Sequence, residues 1–184
     1  DSLRQFGDLW SIAEADSVLF FQSSNAVFTV SADDKVACYN VNDSYHRGFT
    51  CGGGYYINER GSGLKMFTGA GFSPANGGSF FSNSIISGWV ELSTDTVLLG
   101  TREEGVFKWL PGSGEALKFN FADSEADLFV RKNRIYHMTS LPDGNVAFAS
   151  LLNGTLITDR AGRIQKILHY QSGVQDNAHY FLGL

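Results

Sequence analysis

The chain has 184 residues, a formal net charge of −5 and a sequence pI of about 5.3. It contains no basic run or stripe, which argues against a nucleic-acid partner. No apolar run approaches the roughly 18 residues of a membrane helix, so we expect no membrane contact by this segment. Hydrophobic residues are 43% and charged residues 18%, with 21 glycines and 3 prolines, which favours an all-β globular protein with many tight turns.

The first predicted unit covers residues 9–41 and consists of four strands joined by three tight turns. The strands read LWSIAEAD, VLFFQ, AVFTVS and KVACYNV, and the turns lie at Asp16-Ser17, Ser23-Ser24-Asn25 and Ala32-Asp33-Asp34. Short runs of β-branched and aromatic residues that end in such turn signals are typical of antiparallel strands. We expect residues 1–8 to be a linker or the last strand of an earlier unit.

The second predicted unit, residues 46–82, is the least regular. Residues 42–46 form a polar connection, and strands are predicted at RGFTC, YYINE and LKMFTG. A glycine-rich loop from Ala70 to Ser79 replaces a clear outer strand. The triple glycine at residues 52–54 does not predict a phosphate site, because no helix follows to supply an N-terminal dipole.

The third and fourth units cover residues 84–121 and 134–171. Their strands include SIISGWVELS, TVLLGT, VFKWL and ALKFNF, and then RIYHMTS, NVAFAS, TLITD and QKILHY. Asn153-Gly154 between apolar runs is a strong hairpin signal, since a type I′ turn needs positive φ at both central residues. The acidic connector at residues 122–132 predicts one helical turn. Residues 177–184 are predicted to begin a further blade.

The four units recur at a spacing of about one propeller blade. Their third strands begin at Ala26, Leu64, Val106 and Thr155, at spacings of 38, 42 and 49 residues. A β-sandwich also has short strands with frequent turns, but similarity at every fourth strand favours a propeller. We therefore predict a single partial β-propeller domain over residues 1–184, with about four blade-like repeats of four antiparallel strands.

The third and fourth units resemble the two-component regulator propeller repeat. The third carries Asn83-Ser84-Ile85, Ser93-Thr94-Asp95, Val97–Thr101 and Gly105-Val106; the fourth carries Asn133-Arg134-Ile135, Pro142-Asp143-Gly144, Val146–Ser150 and Gly154-Thr155. Ser172 to Leu184 is similar to the junction between blades in that family. The chain departs from the pattern at Ser150, where Thr is usual, at Phe21-Gln22, where Gly-Thr is expected, and throughout the second unit.

This resemblance implies a periplasmic sensor region of an inner-membrane protein, placed ahead of a membrane helix and a histidine kinase or hybrid kinase. It implies a segment that binds or relays a ligand signal without catalysis or cofactor. An oligosaccharide is the small-molecule ligand that the family suggests, and the remaining blades or a second subunit are the expected partners. The alternatives are a protein-interaction scaffold and part of a propeller glycosidase or lyase.

Few residues in the sequence indicate chemistry. Cys38 and Cys51 are too few for a disulfide framework, and we expect both to be free and buried, although pairing stays open. His137 and His179 fall in successive inner strands, but a metal would need three or four ligands, so we predict none. No nucleophile-elbow pattern is present, and turn aspartates such as Asp95 are more simply explained by the turn.

Charged and aromatic residues at loop tips are the remaining candidates for ligand binding. Turns between second and third strands, and connections between blades, meet on one face of a propeller, where binding residues concentrate. The predicted ligand-binding residues on this rim are Tyr45, His46, Arg47, Arg60, Arg102 and Arg131. Open blade faces should be apolar, so the isolated segment should self-associate or depend on further chain.

Overall fold

The structure is a computed structural model that describes residues 8–40, 44–174 and 176–180. It contains four antiparallel sheets of four strands each, and in every sheet the strands are adjacent in sequence order. The first sheet comprises β1 (Ser11–Ala15), β2 (Val18–Gln22), β3 (Ala26–Val30) and β4 (Val36–Asn40). The second comprises β5 (Tyr45–Cys51), β6 (Gly54–Glu59), β7 (Gly63–Phe67) and β8 (Phe72–Pro74).

The third sheet comprises β9 (Ile86–Ser93), β10 (Thr96–Thr101), β11 (Val106–Leu110) and β12 (Glu115–Lys118). The fourth comprises β13 (Ile135–Ser140), β14 (Val146–Ser150), β15 (Thr155–Thr158) and β16 (Ile164–Leu168). Helix α1 (Ser124–Lys132) lies between β12 and β13, and two 3₁₀-helices cover Gly78–Phe81 and Tyr170–Ser172. The predicted four-stranded units are therefore present as four blade-like sheets.

The sheets belong to two compact units. The first unit contains the chain through Ser84 together with Ser93–Asp95 and Leu110–Glu115, and the second contains the rest. In the first unit Phe20, Val27, Tyr45, Tyr55 and Ile57 share one core. The rings of Phe20 and Tyr55 stack at 4.0 Å between centroids and 8° between planes, which joins the first two blades.

The core of the second unit lies between its two sheets and helix α1. Leu98, Val106, Ile135, Phe148 and Leu156 are buried there, and the helix adds Ala126, Phe129 and Val130. These three helical residues are spaced so that they lie on one face of α1. In the described parts of the chain, no helix is long and apolar enough to cross a membrane.

Strand positions confirm the repeat but correct several boundaries. The third strands begin at Ala26, Gly63, Val106 and Thr155, within one residue of prediction. The polar connection predicted at residues 42–46 is wrong at its end, because Tyr45 and His46 already belong to β5. A bulge between Tyr45 and Gly48 interrupts the period-2 pattern there, which explains the error.

Two connections also differ from prediction. The loop predicted from Ala70 to Ser79 contains the short outer strand β8 and a 3₁₀-helix. The single helical turn predicted at residues 122–132 is a nine-residue helix. Acidic residues Glu125 and Asp127 lie in its first turn and basic residues Arg131 and Lys132 in its last, which favours the helix dipole.

The ends of the predicted pattern are only partly visible. Residues 1–7, 41–43, 175 and 181–184 lie outside the described residues, so the predicted linker and most of the predicted further blade are not tested. Ala178, His179 and Tyr180, which are described, do not form a strand. Cys38 in β4 and Cys51 at the end of β5 do not form a disulfide. Cys51 is buried, as expected, whereas Cys38 is only half-buried.

Candidate functional site

A hydroxyl group closes the turn after the second strand in three of the four blades. Thr101 Oγ1 donates to the Gly105 carbonyl at 2.8 Å and accepts from the Glu104 N–H at 3.0 Å. Ser150 makes the same two bonds, at 2.8 Å to the Gly154 carbonyl and 3.1 Å from the Asn153 N–H. In the first blade, Ser23 bonds both the carbonyl and the N–H of Ala26 at 3.1 Å.

The strand registers place these hydroxyl residues at one repeat position. Gln22 pairs with Val27, Gly100 with Val106 and Ala149 with Thr155. The hydroxyl residue comes directly after Gln22, Gly100 and Ala149 in the sequence. The first blade therefore matches the Gly-Thr pattern at Gln22-Ser23. The expectation of Gly-Thr at Phe21-Gln22 was wrong by one residue, because this turn is one residue shorter in the first blade than in the third and fourth blades.

The second blade departs from this pattern at two neighbouring positions. Asn58 pairs with Leu64, so Glu59 occupies the position of the hydroxyl residue. Ile57 pairs with Lys65, so Lys65 occupies the position of Phe28, Phe107 and Leu156 in the other blades. The Lys65 ammonium forms an ion pair with Glu59 Oε2, and the two side chains are only 22% and 12% exposed.

The inner strand carries a third difference at the same corner. Tyr45 of β5 pairs with Glu59, whereas Ile135 of β13 pairs with Ser150. Ile135 and Leu156 belong to the apolar core of the second unit. The corner that Ile135, Ser150 and Leu156 form in the fourth blade is thus formed by a phenol, a carboxylate and an ammonium in the second.

These residues line a cleft of about 380 Å³. Its walls are formed by the outer strand of the first blade and by the second blade, through Cys38, Tyr39, Asn40, Tyr45, Glu59, Lys65 and Phe72. The Tyr39 and Phe72 rings meet edge to face at 5.7 Å between centroids. The cleft therefore offers one acid, one base, a phenol, an amide and an aromatic wall.

Tyr45 is buried, and its pKa lies well above the ordinary value of 10.0. Burial is the main cause, because the phenolate would lose its hydration, and the Glu59 carboxylate adds repulsion. The phenol is therefore protonated at neutral pH. It can offer the cleft both a hydrogen-bond donor and an acceptor.

The connections between blades differ in length. Sixteen residues separate β12 from β13, and they include α1, which packs Phe129 and Val130 into the core beside Leu156. Only four residues separate β4 from β5. A connection of four residues is too short to hold a nine-residue helix like α1.

A buried amide holds β5 in place beside the cleft. The Gln22 Oε1 atom accepts from the Gly48 N–H at 2.7 Å and from Ser11 Oγ at 3.1 Å, and Gln22 Nε2 donates to the His46 carbonyl. The amide thus bridges β1, β2 and the bulge of β5. It positions the strand end that carries Tyr45.

Four of the predicted rim residues belong to the first unit. Tyr45 lines the cleft, whereas His46 and Arg47 lie within β5 rather than in a loop. Arg60 is exposed in the turn after β6. Their role in ligand binding stays a prediction.

Two further predicted residues belong to the second unit. Arg102 lies in the turn after β10, and Arg131 lies in the last turn of α1. Arg131 forms a bond of 2.7 Å to Asp127 Oδ2, one helical turn earlier. That bond is a sufficient structural reason for its position.

Glu59 and Lys65 were not among the predicted site residues. The signal was available in the repeat, since an acid and a base replace a hydroxyl and an apolar residue together. Recognising this signal required the strand registers, because the second unit matches the repeat pattern poorly. Among the residues with described positions, no group of three or more His, Cys, Asp or Glu residues could hold a metal ion.

A second cleft, of about 510 Å³, lies at the start of α1 in the second unit. Asp123, Ser124 and Glu125 line it together with Ile164 and Ile167. Asp123 Oδ2 already accepts the Ile164 N–H at 2.7 Å. This carboxylate is used to join the helix start to β16, so the first cleft is the better candidate site.

Neither a family model nor a curated protein sequence matches the chain. Solved structures do match it. The extracellular domain of the one-component or hybrid two-component system BT4673 of Bacteroides thetaiotaomicron superposes with a TM-score of 0.68 and 18% identity. The match covers 94% of this chain and 24% of that one, so the chain spans about a quarter of that domain's length.

Other similar structures are propellers with different roles. The WD40 β-propeller domain of Doa1 matches with a TM-score of 0.67 and 11% identity, over 88% of this chain and 53% of that chain. Virginiamycin B lyase of Staphylococcus aureus matches at 0.63 and 12% identity, over 88% and 56%. These likenesses confirm the predicted fold class, an all-β partial β-propeller.

Proposed function

We propose that the chain is part of an extracytoplasmic sensor β-propeller of a bacterial two-component signalling protein. It binds or relays a ligand signal and performs no chemistry of its own. The observation that carries the proposal is the superposition of 94% of the chain on the extracellular domain of a two-component system. The sequence resemblance of the third and fourth blades to the two-component regulator repeat supports it independently.

The candidate cleft is consistent with binding rather than hydrolysis. Glycosidases use two carboxyl groups about 5–9.5 Å apart. Among the described residues that line the cleft, Glu59 is the one carboxylate, and Lys65 already pairs with it. A carboxylate that is already engaged in an ion pair suits recognition of a polar ligand more than proton transfer.

An interaction scaffold is the second candidate, and one surface favours it. Trp10, Ile12, Leu19 and Val36 are exposed on the first blade. Ile12 pairs with Phe21, and Phe21 pairs with Phe28, so Ile12, Phe21 and Phe28 lie on the sheet face opposite Phe20. An apolar face of this kind suits contact with another blade or a partner protein.

The test is the cellular location of this segment in the full-length protein. An enzyme reporter that is active only after export, fused behind Leu184 in the native bacterium, should be active. A matched fusion with a reporter that works only in the cytoplasm should be silent. An inactive export reporter together with an active cytoplasmic reporter would overturn the sensor proposal. The interaction scaffold would then remain as the proposed function. Consumption of a ligand by the purified protein would overturn its non-catalytic part.

A further inference from the structure

The ion pair in the cleft is not explained by stability. A partly buried ion pair loses hydration and returns little net free energy, and well-packed apolar residues often replace such pairs without loss. The other blades provide that comparison within the same chain, with Ser or Thr at the first position and Phe or Leu at the second. Glu59 and Lys65 therefore need a reason other than packing.

The charges of the cleft restrict its ligand. Among the described residues that line the cleft, the charged ones, Glu59 and Lys65, balance one another, and Tyr45 is a neutral phenol whose pKa burial raises further. A ligand with a single charge would neutralise one member of the pair and leave the other partly buried without a partner, which is costly. A ligand that carries both charges can pair with Glu59 and Lys65 at once.

The geometry of the pair further restricts the ligand. The carboxylate and the ammonium are in direct contact, so their partners must also lie side by side. The two charged groups of a free α-amino acid are attached to one carbon atom and meet this condition. Its carboxylate would accept from Lys65 and its ammonium would donate to Glu59, as charge-assisted hydrogen bonds.

The remaining walls suit the rest of such a molecule. Tyr39 and Phe72 provide an aromatic surface for an apolar side chain, and Asn40 and the Tyr45 hydroxyl provide further polar contacts. A volume of about 380 Å³ is within the range of small-molecule sites. We propose that this cleft between the first and second blades binds a free amino acid with an apolar side chain, held by Glu59 and Lys65.

This inference deepens the sensor proposal by naming the ligand of the cleft, but its test does not depend on signalling. Isothermal titration calorimetry of the purified full-length protein with free phenylalanine, leucine and methionine should show saturable binding. N-acetyl and carboxamide derivatives of the same amino acids lack one charge each. They should bind at least about tenfold more weakly.

A pair of variants tests the residues. Glu59→Ser with Lys65→Phe restores the pattern of the first blade, so we expect a folded protein that has lost amino-acid binding. The matched control is Asp33→Ser with Lys35→Phe, which removes an ion pair from the exposed turn before β4. This control should bind as the unchanged protein does.

Three results would overturn the proposal. One is the absence of heat with any free amino acid up to about 10 mM, a very weak affinity. Another is equal binding of the blocked derivatives, which needs no variant and so holds even where a variant misfolds. The third is saturable binding of neutral mono- or oligosaccharides in place of amino acids. An export reporter that is inactive in the native bacterium would contradict the sensor proposal. The calorimetric evidence for or against amino-acid binding would be unaffected.

Discussion

At the scale of single residues, two features shape the turn after the second strand. In three blades a hydroxyl, at Ser23, Thr101 or Ser150, accepts one backbone N–H of the turn. Glycine with positive φ opens the third strand at Gly63, Gly105 and Gly154. The turns are therefore local decisions, made by residues within five positions of one another.

Gly154 is predicted to be less replaceable than Gly144. Both have positive φ, at 77° and 83°. A Cβ atom at Gly154 would collide with the carbonyl oxygen of Leu168, whereas nothing lies within 4 Å of one at Gly144. Gly144→Ala should cost about 1–2 kcal/mol for the backbone conformation alone, and Gly154→Ala should cost clearly more.

Urea unfolding of the two variants measures this difference. Equal losses in the free energy of unfolding would mean that the collision is relieved by a small shift of β16. The carbonyl of Leu168 would then not limit the residue at position 154.

At the scale of elements, α1 and the short β4–β5 connection make the two units different. The helix contributes Ala126, Phe129 and Val130 to the core of the second unit. The four-residue connection between β4 and β5 is too short for such a helix. The blade corner beside the helix carries Ile135 and Leu156, whereas the corresponding corner of the second blade carries Tyr45, Glu59 and Lys65.

The helix is predicted to stabilise the second unit through one face. Phe129 is 6% exposed and Leu128 is 42% exposed, although they are neighbours in sequence. Phe129→Ala should lower the free energy of unfolding by about 3–5 kcal/mol, because it empties a buried site. Leu128→Ala should cost well under half of that amount, since alanine suits a helix and little buried contact is lost.

Thermal or urea unfolding, followed by circular dichroism, gives both values. A small effect of Phe129→Ala would show that the helix is only loosely held against the sheets. A large effect of Leu128→Ala would show that its exposed side is covered in solution.

At the scale of the whole molecule, the first blade presents a sheet face that carries several exposed apolar side chains. Its strands β1, β2 and β4 expose Ile12, Leu19 and Val36 beside Trp10. The opposite face of the same sheet carries Phe20, which stacks on Tyr55 of the next blade. The blade is thus built to be covered on both faces, as stacked repeats are.

The isolated segment is predicted to self-associate through this face. Ile12→Glu together with Val36→Lys should reduce the average mass in light scattering, because charges placed on the face oppose its burial. Leu117→Glu, at an exposed apolar residue of β12, is the matched control and should change the mass little. A segment that is monomeric at all concentrations and does not bind a surface dye would contradict the prediction.

Much of the blade architecture could be read from the sequence. The type I′ turn predicted at Asn153-Gly154 is wrong, because Asn153 does not have the positive φ that such a turn requires. Glycines such as Gly144 and Gly154 do take positive φ and fix their turns locally, so strand positions follow without knowledge of distant contacts. This is why the third strands were placed within one residue. The same reasoning failed at Tyr45 and His46, where a bulge fixed by the distant Gln22 amide alters the strand.

The candidate site depended on tertiary structure. Tyr45, Glu59 and Lys65 are separated by up to twenty positions, and only the registers of β5, β6 and β7 bring them to one corner. The cleft also needs Tyr39 and Asn40 from the neighbouring blade. By itself the sequence determined the repeat and its turns, because backbone conformation there is a local property of a few residues. Only the packed sheets decided which polar side chains meet, because burial and pairing across blades depend on contacts that local patterns do not contain.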